Sequence, residues 1–416
     1  METAAFVKSL FRSLRHRNYR LFWSGQLISL MGTWMQNVGQ AWLVLELTHS
    51  PFKLGVVSAL QFAPMLILSF PAGAIIDTLS KRRIIIATQT AFMILAFTLA
   101  LLDGLHIVRY WHVAVLAALF GIVNTFDIPA RQSFIIELVG REDLMNGIAL
   151  NSSIFNAARA VGPAIAGLAI GVAGTAVCFL LNGLSFLAVI VGLLLMNMDE
   201  PLNHRARRSA MIEDIREAFV AIRRTPAVLG VILLVGVVSV FGTNFNVLVP
   251  VFSRQELHRD AAAFGLLMSS FGAGALIGAI ALAALSRRGP APELLLGGGV
   301  CLSLVLIVIG LQRSYGLTAF LLMLAGLSMV VFFGIANTTV QLNTEDRLRG
   351  RVMSVYTFVF GGFTPFGSLF AGAMAHSIRA PRTFAIGGII CAAAFLTAIT
   401  LRRRKRAEQI SPGERP

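Results

Sequence analysis

Again and again along this chain an apolar run of about 20 residues gives way to a short polar loop, and no run of that length can lie anywhere but in lipid or in a very large core. Twelve such runs are counted, at about 21–47, 54–76, 84–102, 111–128, 146–169 and 176–198, then 227–252, 261–285, 294–311, 317–342, 352–375 and 383–401. Backbone polar groups in hydrocarbon must be satisfied within their own segment, so each run is read as a membrane-spanning helix and the fold as all-α. Composition agrees: 56% of residues are hydrophobic and 13% charged, against about 25% charged in an average soluble domain.

The basic residues are placed as punctuation. With both termini on one side, 27 of the 35 Lys and Arg fall in the segments on that side and seven in the opposite loops. Arg159 is taken as the one basic residue inside a span. The excess predicts that the termini face the cytoplasm of an inner or plasma membrane protein. The net charge of +15 is therefore assigned to anionic headgroups at the ends of spans and not to nucleic acid.

Residues 1–20 scatter Phe6, Leu10 and Leu14 among Lys8, Arg12, Arg15 and Arg17, which suits an amphipathic cytoplasmic arm and not a cleavable signal. The long polar break 199–226 sets Ile212, Ile215, Phe219 and Ile222 at helical spacing and predicts a linker with a surface helix. It separates a first bundle at 21–198 from a second at 227–401, and a basic tail follows at 402–416.

The two halves echo one another. Phe120 to Thr125 in span four returns as Phe333 to Thr338 in span ten, five of six identical at an offset of 213, and Gly32-Thr33 in span one returns as Gly242-Thr243 in span seven. Both pairs join span n to span n+6, which predicts two pseudo-symmetric six-helix bundles facing each other across a central cavity. Cys178, Cys301 and Cys391 lie far apart in apolar runs, so neither a disulfide framework nor a metal site is expected.

Residues 73–83 read Gly-Ala-Ile-Ile-Asp-Thr-Leu-Ser-Lys-Arg-Arg between two apolar runs. Gly73, Asp77, Lys81 and Arg82 fit the pattern of the loop between spans two and three in the major facilitator superfamily, whereas Thr78 and Ser80 depart from it. Span five carries Ala158, Gly162, Pro163, Ala166 and Gly167, similar to that superfamily's antiporter motif with alanines for two glycines. Residues 158, 162 and 166 share one helical face on which another helix can approach closely, so the motif is equally a packing device. Residues 42–50, 126–131, 157–163 and 347–354 resemble the branch of enterobactin exporters and macrolide efflux proteins, a resemblance covering about 11–401. It implies a secondary exporter driven by an ion gradient, usually of protons. It further implies that Asp127 pairs with Lys81 or Arg82 as a cytoplasmic latch.

Ionisable and amide groups inside spans are the functional candidates, because burial there is costly unless a cavity or a partner repays it. Cavity candidates are Arg159 and Asn156 in span five, Gln36, Asn37 and Gln40 in span one, Asn244 in span seven and Asn337 in span ten; helix-to-helix hydrogen bonding is an equal alternative for the amides. Arg159 is expected near mid-depth, either binding an anionic or carbonyl-rich substrate or tying span five to a neighbour. Glu46 reads as a solvated helix end. No phosphate-binding Gly-x-x-x-x-Gly-Lys-Ser/Thr loop is present, so a gradient is the expected energy source. The expectation is a monomeric, cofactor-free exporter of a small amphipathic molecule of drug or siderophore type, probing its cavity alternately from each side. A membrane-embedded enzyme is disfavoured by seven dispersed histidines, and a scaffold or sensor on the same fold is the third possibility.

Overall fold

The computed structural model describes residues 11–197, 211–285 and 292–410. Among them every regular element is helical. After a short 3-10 turn at Arg12–Arg15 come α1 (Arg17–Thr48), α2 (Pro51–Thr78), α3 (Lys81–Gly104), α4 (Tyr110–Ala173) and α5 (Ala176–Leu194). The linker helix α6 (Met211–Arg224) leads into α7 (Pro226–Val237), a π-helical turn at Val238–Gly242 and α8 (Phe245–Gln255). The rest are α9 (Ala261–Leu285), α10 (Pro292–Leu311), α11 (Tyr315–Leu342), α12 (Arg349–Gly362), α13 (Thr364–Ile378) and α14 (Ala380–Ile410).

Twelve crossings result. Ten stretches are long and apolar enough to span a membrane. One of these, α4, has 64 residues, which at 1.5 Å each is about 96 Å and far exceeds one crossing. It crosses twice, reversing at Gly140, whose φ of 71° is open to glycine at no steric cost. α1 supplies the twelfth crossing; Gln26, Gln36, Asn37 and Gln40 dilute its apolar character. The loop expected between spans four and five does not exist as such. The helix runs through Pro129 to Val139 and resumes at Arg141, so Asp127 and Arg131 stand one turn apart on one face.

Span seven is α7 and α8 joined by the π turn and Asn244; span eleven is α12 and α13, broken at Phe363. The first bundle comprises α1 to α5 and the second α7 to α14. The end of the molecule that holds Arg12, Arg402 and the linker helix is called the basic end, and its opposite the far end.

The bundles meet along two seams. The second arm of α4 lies against α9, where a Cβ on Gly167 would come within 2.7 Å of the Ala261 carbonyl, and Gly265 abuts the Pro163 carbonyl as closely. α2 lies against α13, with Gly55 on Gly372 and Ser58 Oγ 3.0 Å from Ser368 Oγ. At the far end Trp42 of α1 stacks on Phe264 of α9 at 6.0 Å, and the Arg254 guanidinium caps the indole at 5.5 Å. One apolar cluster runs through both bundles there, from Trp42, Leu43 and Phe179 to Phe245, Phe252 and Phe264. A second, Tyr19, Phe22, Ile85, Phe134 and Leu193, belongs to the first bundle alone and lies toward the basic end.

Candidate transport pathway

At mid-depth the first bundle presents amides toward the second. Gln61 of α2 donates to Asn37 Oδ1 and accepts from Gln40 Nε2, both at 3.4 Å. With Ser58 and Asn246 of α8 they line a small cavity of about 40 Å³, room for about one water. Long bonds between amides around a polar void leave donor and acceptor capacity that a ligand could take up.

Gln36, one residue from Asn37, points elsewhere. Its Oε1 accepts from Asn182 Nδ2 of α5 at 2.7 Å, so it is a tie inside the first bundle and not a cavity group. Asn244 spends its Nδ2 on the Val240 carbonyl at 2.7 Å, bridging the π turn in span seven. Asn337 accepts from Gln341 one turn along α11 at 2.7 Å.

Arg159 is 8% exposed and lies at the α4–α9 seam. Its Nη2 donates to Asn156 Oδ1 at 2.7 Å, and its guanidinium is flanked by Phe155 at 5.8 Å and, across the seam, Phe271 at 5.9 Å. Its Nε is buried without a hydrogen-bond partner, and no acid pairs with it among the described residues. Aromatic faces repay part of the desolvation, about 2 kcal/mol for a dry cation–π contact, which leaves this cation under-satisfied. Of the small residues beside it, Ala158 and Ala166 are fully buried and Gly162 meets Trp34 and Met31 of α1, whereas Gly167 meets α9. The motif thus serves two neighbours.

The expected latch has different partners. Fully buried Asp127 accepts from Thr88 Oγ1 at 2.7 Å and Gln89 Nε2 at 3.0 Å, and pairs with Arg131 Nη2 at 2.6 Å. Arg131 in turn donates to Gln26 of α1 at 2.6 Å. Lys81 pairs with Glu137, and Arg82 donates to the Leu193 carbonyl at the end of α5. Gly73 lies within α2 with open space where a Cβ would stand; the side chain of Asp77 is outside the described residues. Lys81 and Asp127 therefore belong to separate contacts, because α4 continues as a helix past Pro129 and brings Arg131 onto Asp127.

Three groups escaped sequence reasoning. Gln61 carried a signal, being the one amide in the apolar run of span two. Arg131 carried one in its i,i+4 spacing from Asp127. Arg254 had none, since only the packing of α8 places it over Trp42.

This architecture is that of known transporters of the major facilitator fold. The crystal structure of a POT family transporter in complex with 5-aminolevulinic acid superposes with a TM-score of 0.75 at 11% identity, over 94% of this chain and 96% of that one. Over residues 8–415 the sequence matches the transmembrane secretion effector family, and the chain belongs to it. It is 26% identical to the Staphyloferrin A transporter of Staphylococcus aureus, over 95% of this chain and 99% of the relative. It is 28% identical to the multidrug efflux pump Tap of Mycobacterium tuberculosis, over 86% and 87%. The protein is thus a multi-pass membrane transporter of the efflux and secretion kind, acting on small molecules and not an enzyme.

Proposed function

We propose that this chain exports a small amphipathic molecule by alternating access, coupled to an ion gradient that is expected to be of protons, with its basic end in the cytoplasm. The observation that carries the reading is the one-sided seam. Named contacts between bundles run from Trp42 and Phe264 at the far end to Arg159 and Gly272 at mid-depth, and the amide cavity lies among them. Each described ion pair at the basic end stays within one bundle or joins the linker helix to the second bundle. Such an arrangement suits one state of a rocking pair, closed at the far end. The under-satisfied Arg159 suits a substrate bearing carbonyl or anionic oxygens, and the surrounding phenylalanines suit an apolar body. The relatives' names support export of this kind.

Reconstituted protein should move a labelled candidate substrate into vesicles when a pH gradient is imposed. Transport at the same rate with the gradient collapsed would remove the coupling, and absence of counterflow for every candidate would remove the transport reading. Sidedness has its own test in a Cys301→Ser background. Ser314→Cys should react with an impermeant thiol reagent added outside cells and Ser209→Cys should not; the reverse pattern would invert the orientation.

A further inference from the structure

Away from the pathway, at the basic end, the linker helix α6 and the corner between α11 and α12 border an open-mouthed cavity of about 630 Å³. Its charged lining is Arg216, Glu217 and Arg224 from the linker helix and Glu345 and Arg347 from the corner. Glu217 is already neutralised by Arg351. The three arginines are exposed and have neither an ion-pair nor a hydrogen-bond partner among the described residues. Three guanidiniums thus face the cavity against the single carboxylate of Glu345.

Two helix starts and two helix ends meet at the cavity, so the arginines carry its charge. α7 begins at the lining residue Thr225 and α12 at the lining residue Leu348, and neither start has a side-chain cap. The ends of α6 at Arg224 and of α11 at Asn343 line the cavity as well, so what the two starts offer an anion is their uncapped N–H groups and not a net dipole. Val220, 42% exposed, lines the cavity, and its neighbour Phe219 on the linker helix is 51% exposed, so an apolar shoulder adjoins the arginines.

We propose that this cavity is a binding site for a phosphate-bearing ligand, the headgroup of an anionic phospholipid, held by Arg216, Arg224 and Arg347. The volume exceeds that of a bare phosphate and suits a glycerophosphate headgroup, while the apolar shoulder suits the start of its acyl chains. Occupancy would add to the Glu217–Arg351 tie between α6 and α12 and so strengthen the coupling of the linker to span eleven, whichever molecule the pathway carries.

The test uses the full-length protein in nanodiscs of phosphatidylcholine with or without phosphatidylglycerol, with retained lipid counted by native mass spectrometry after extraction. Replacing Arg216, Arg224 and Arg347 together by Gln should lower phosphatidylglycerol retention at least about tenfold, as expected for three arginines at an anionic surface. Arg223→Gln, on the same helix but outside the lining, should retain wild-type levels. If the triple variant cannot be purified, Arg216→Gln and Arg224→Gln singly should each cost about threefold. Glycerol 3-phosphate is the second arm. If it leaves retention unchanged, the ligand is the lipid; if it displaces phosphatidylglycerol and raises the melting temperature of wild type but not of the triple variant, the same site takes a soluble phosphate. Full retention by the triple variant, or equal loss in Arg223→Gln, would overturn the site.

Discussion

The two bundles share a repeat but hold their basic ends together by different physics. In the first, Gln26, Thr88, Gln89, Asp127 and Arg131 join α1, α3 and α4 through a buried network of directional bonds. At the repeat offset of 213 the second bundle has Val340 for Asp127, Thr344 for Arg131, and Cys301 and Leu302 for Thr88 and Gln89. Val340 is fully buried in the apolar cluster, and the Thr344 hydroxyl turns back on the Val340 carbonyl at 2.6 Å. Apolar contacts take the place of the buried network, among them Phe332 on Phe395 at 5.4 Å, and the ion pair of Arg402 with Glu293 between α14 and α10 is exposed. The second bundle also holds both broken spans, at Val238–Gly242 and at Phe363. A charge network is therefore not a demand of the fold. It makes the first bundle a directionally bonded block, whereas packing and interrupted helices leave the second the bends at which spans seven and eleven can flex.

The largest effect should come from giving the first bundle the second bundle's chemistry by halves. Asp127→Val leaves Arg131 beside a buried apolar group and should cost about 3–5 kcal/mol, seen as loss of protein from the membrane and a lower melting temperature in detergent. The double change Asp127→Val with Arg131→Thr transplants the other repeat's solution and should recover most of that loss. A single variant as stable as wild type would mean that the network carries no structural weight.

Next is the seam. Gly265→Leu sets a side chain against the Pro163 carbonyl, which cannot yield as a flexible side chain would, and should cost about 3 kcal/mol at the α4–α9 contact. The far end should loosen. Gln61→Cys in that background, with Cys301→Ser, should label faster from the far side than without it; unchanged labelling would show that the seam does not control access.

Arg159 comes third. Arg159→Gln removes the cation from between Phe155 and Phe271, worth about 2 kcal/mol, and should reach the membrane at normal levels with transport impaired. Arg159→Lys keeps the charge and should be impaired less. Normal transport by the glutamine variant would reduce Arg159 to packing.

The smallest effect is expected in the broken span. Asn244→Ala forfeits one bond across the π turn, about 1 kcal/mol, and should alter transport rate more than melting temperature. The opposite ranking would make the break a rigid element and weaken the contrast between bundles.

Twelve crossings, two related bundles and the helical linker were legible in the chain, because hydropathy and its period are local properties that lipid enforces on every segment separately. The loop motif and the small-residue face of span five were legible as patterns. Their partners were not. Pro129 and the polar residues after it read as a loop, yet the helix continues, and Asp127 takes Arg131 instead of Lys81. Gln36 and Asn37 are neighbours in sequence, but one bonds α5 and the other lines the cavity. A helix turns about 100° per residue, so a small rotation of α1 decides which of two equivalent amides meets the pathway. That rotation is set by packing against segments more than a hundred residues away, at contacts such as Gly32 on Asn182 and Ser185. What each segment is follows from its own residues; what each side chain touches follows from how the segments pack.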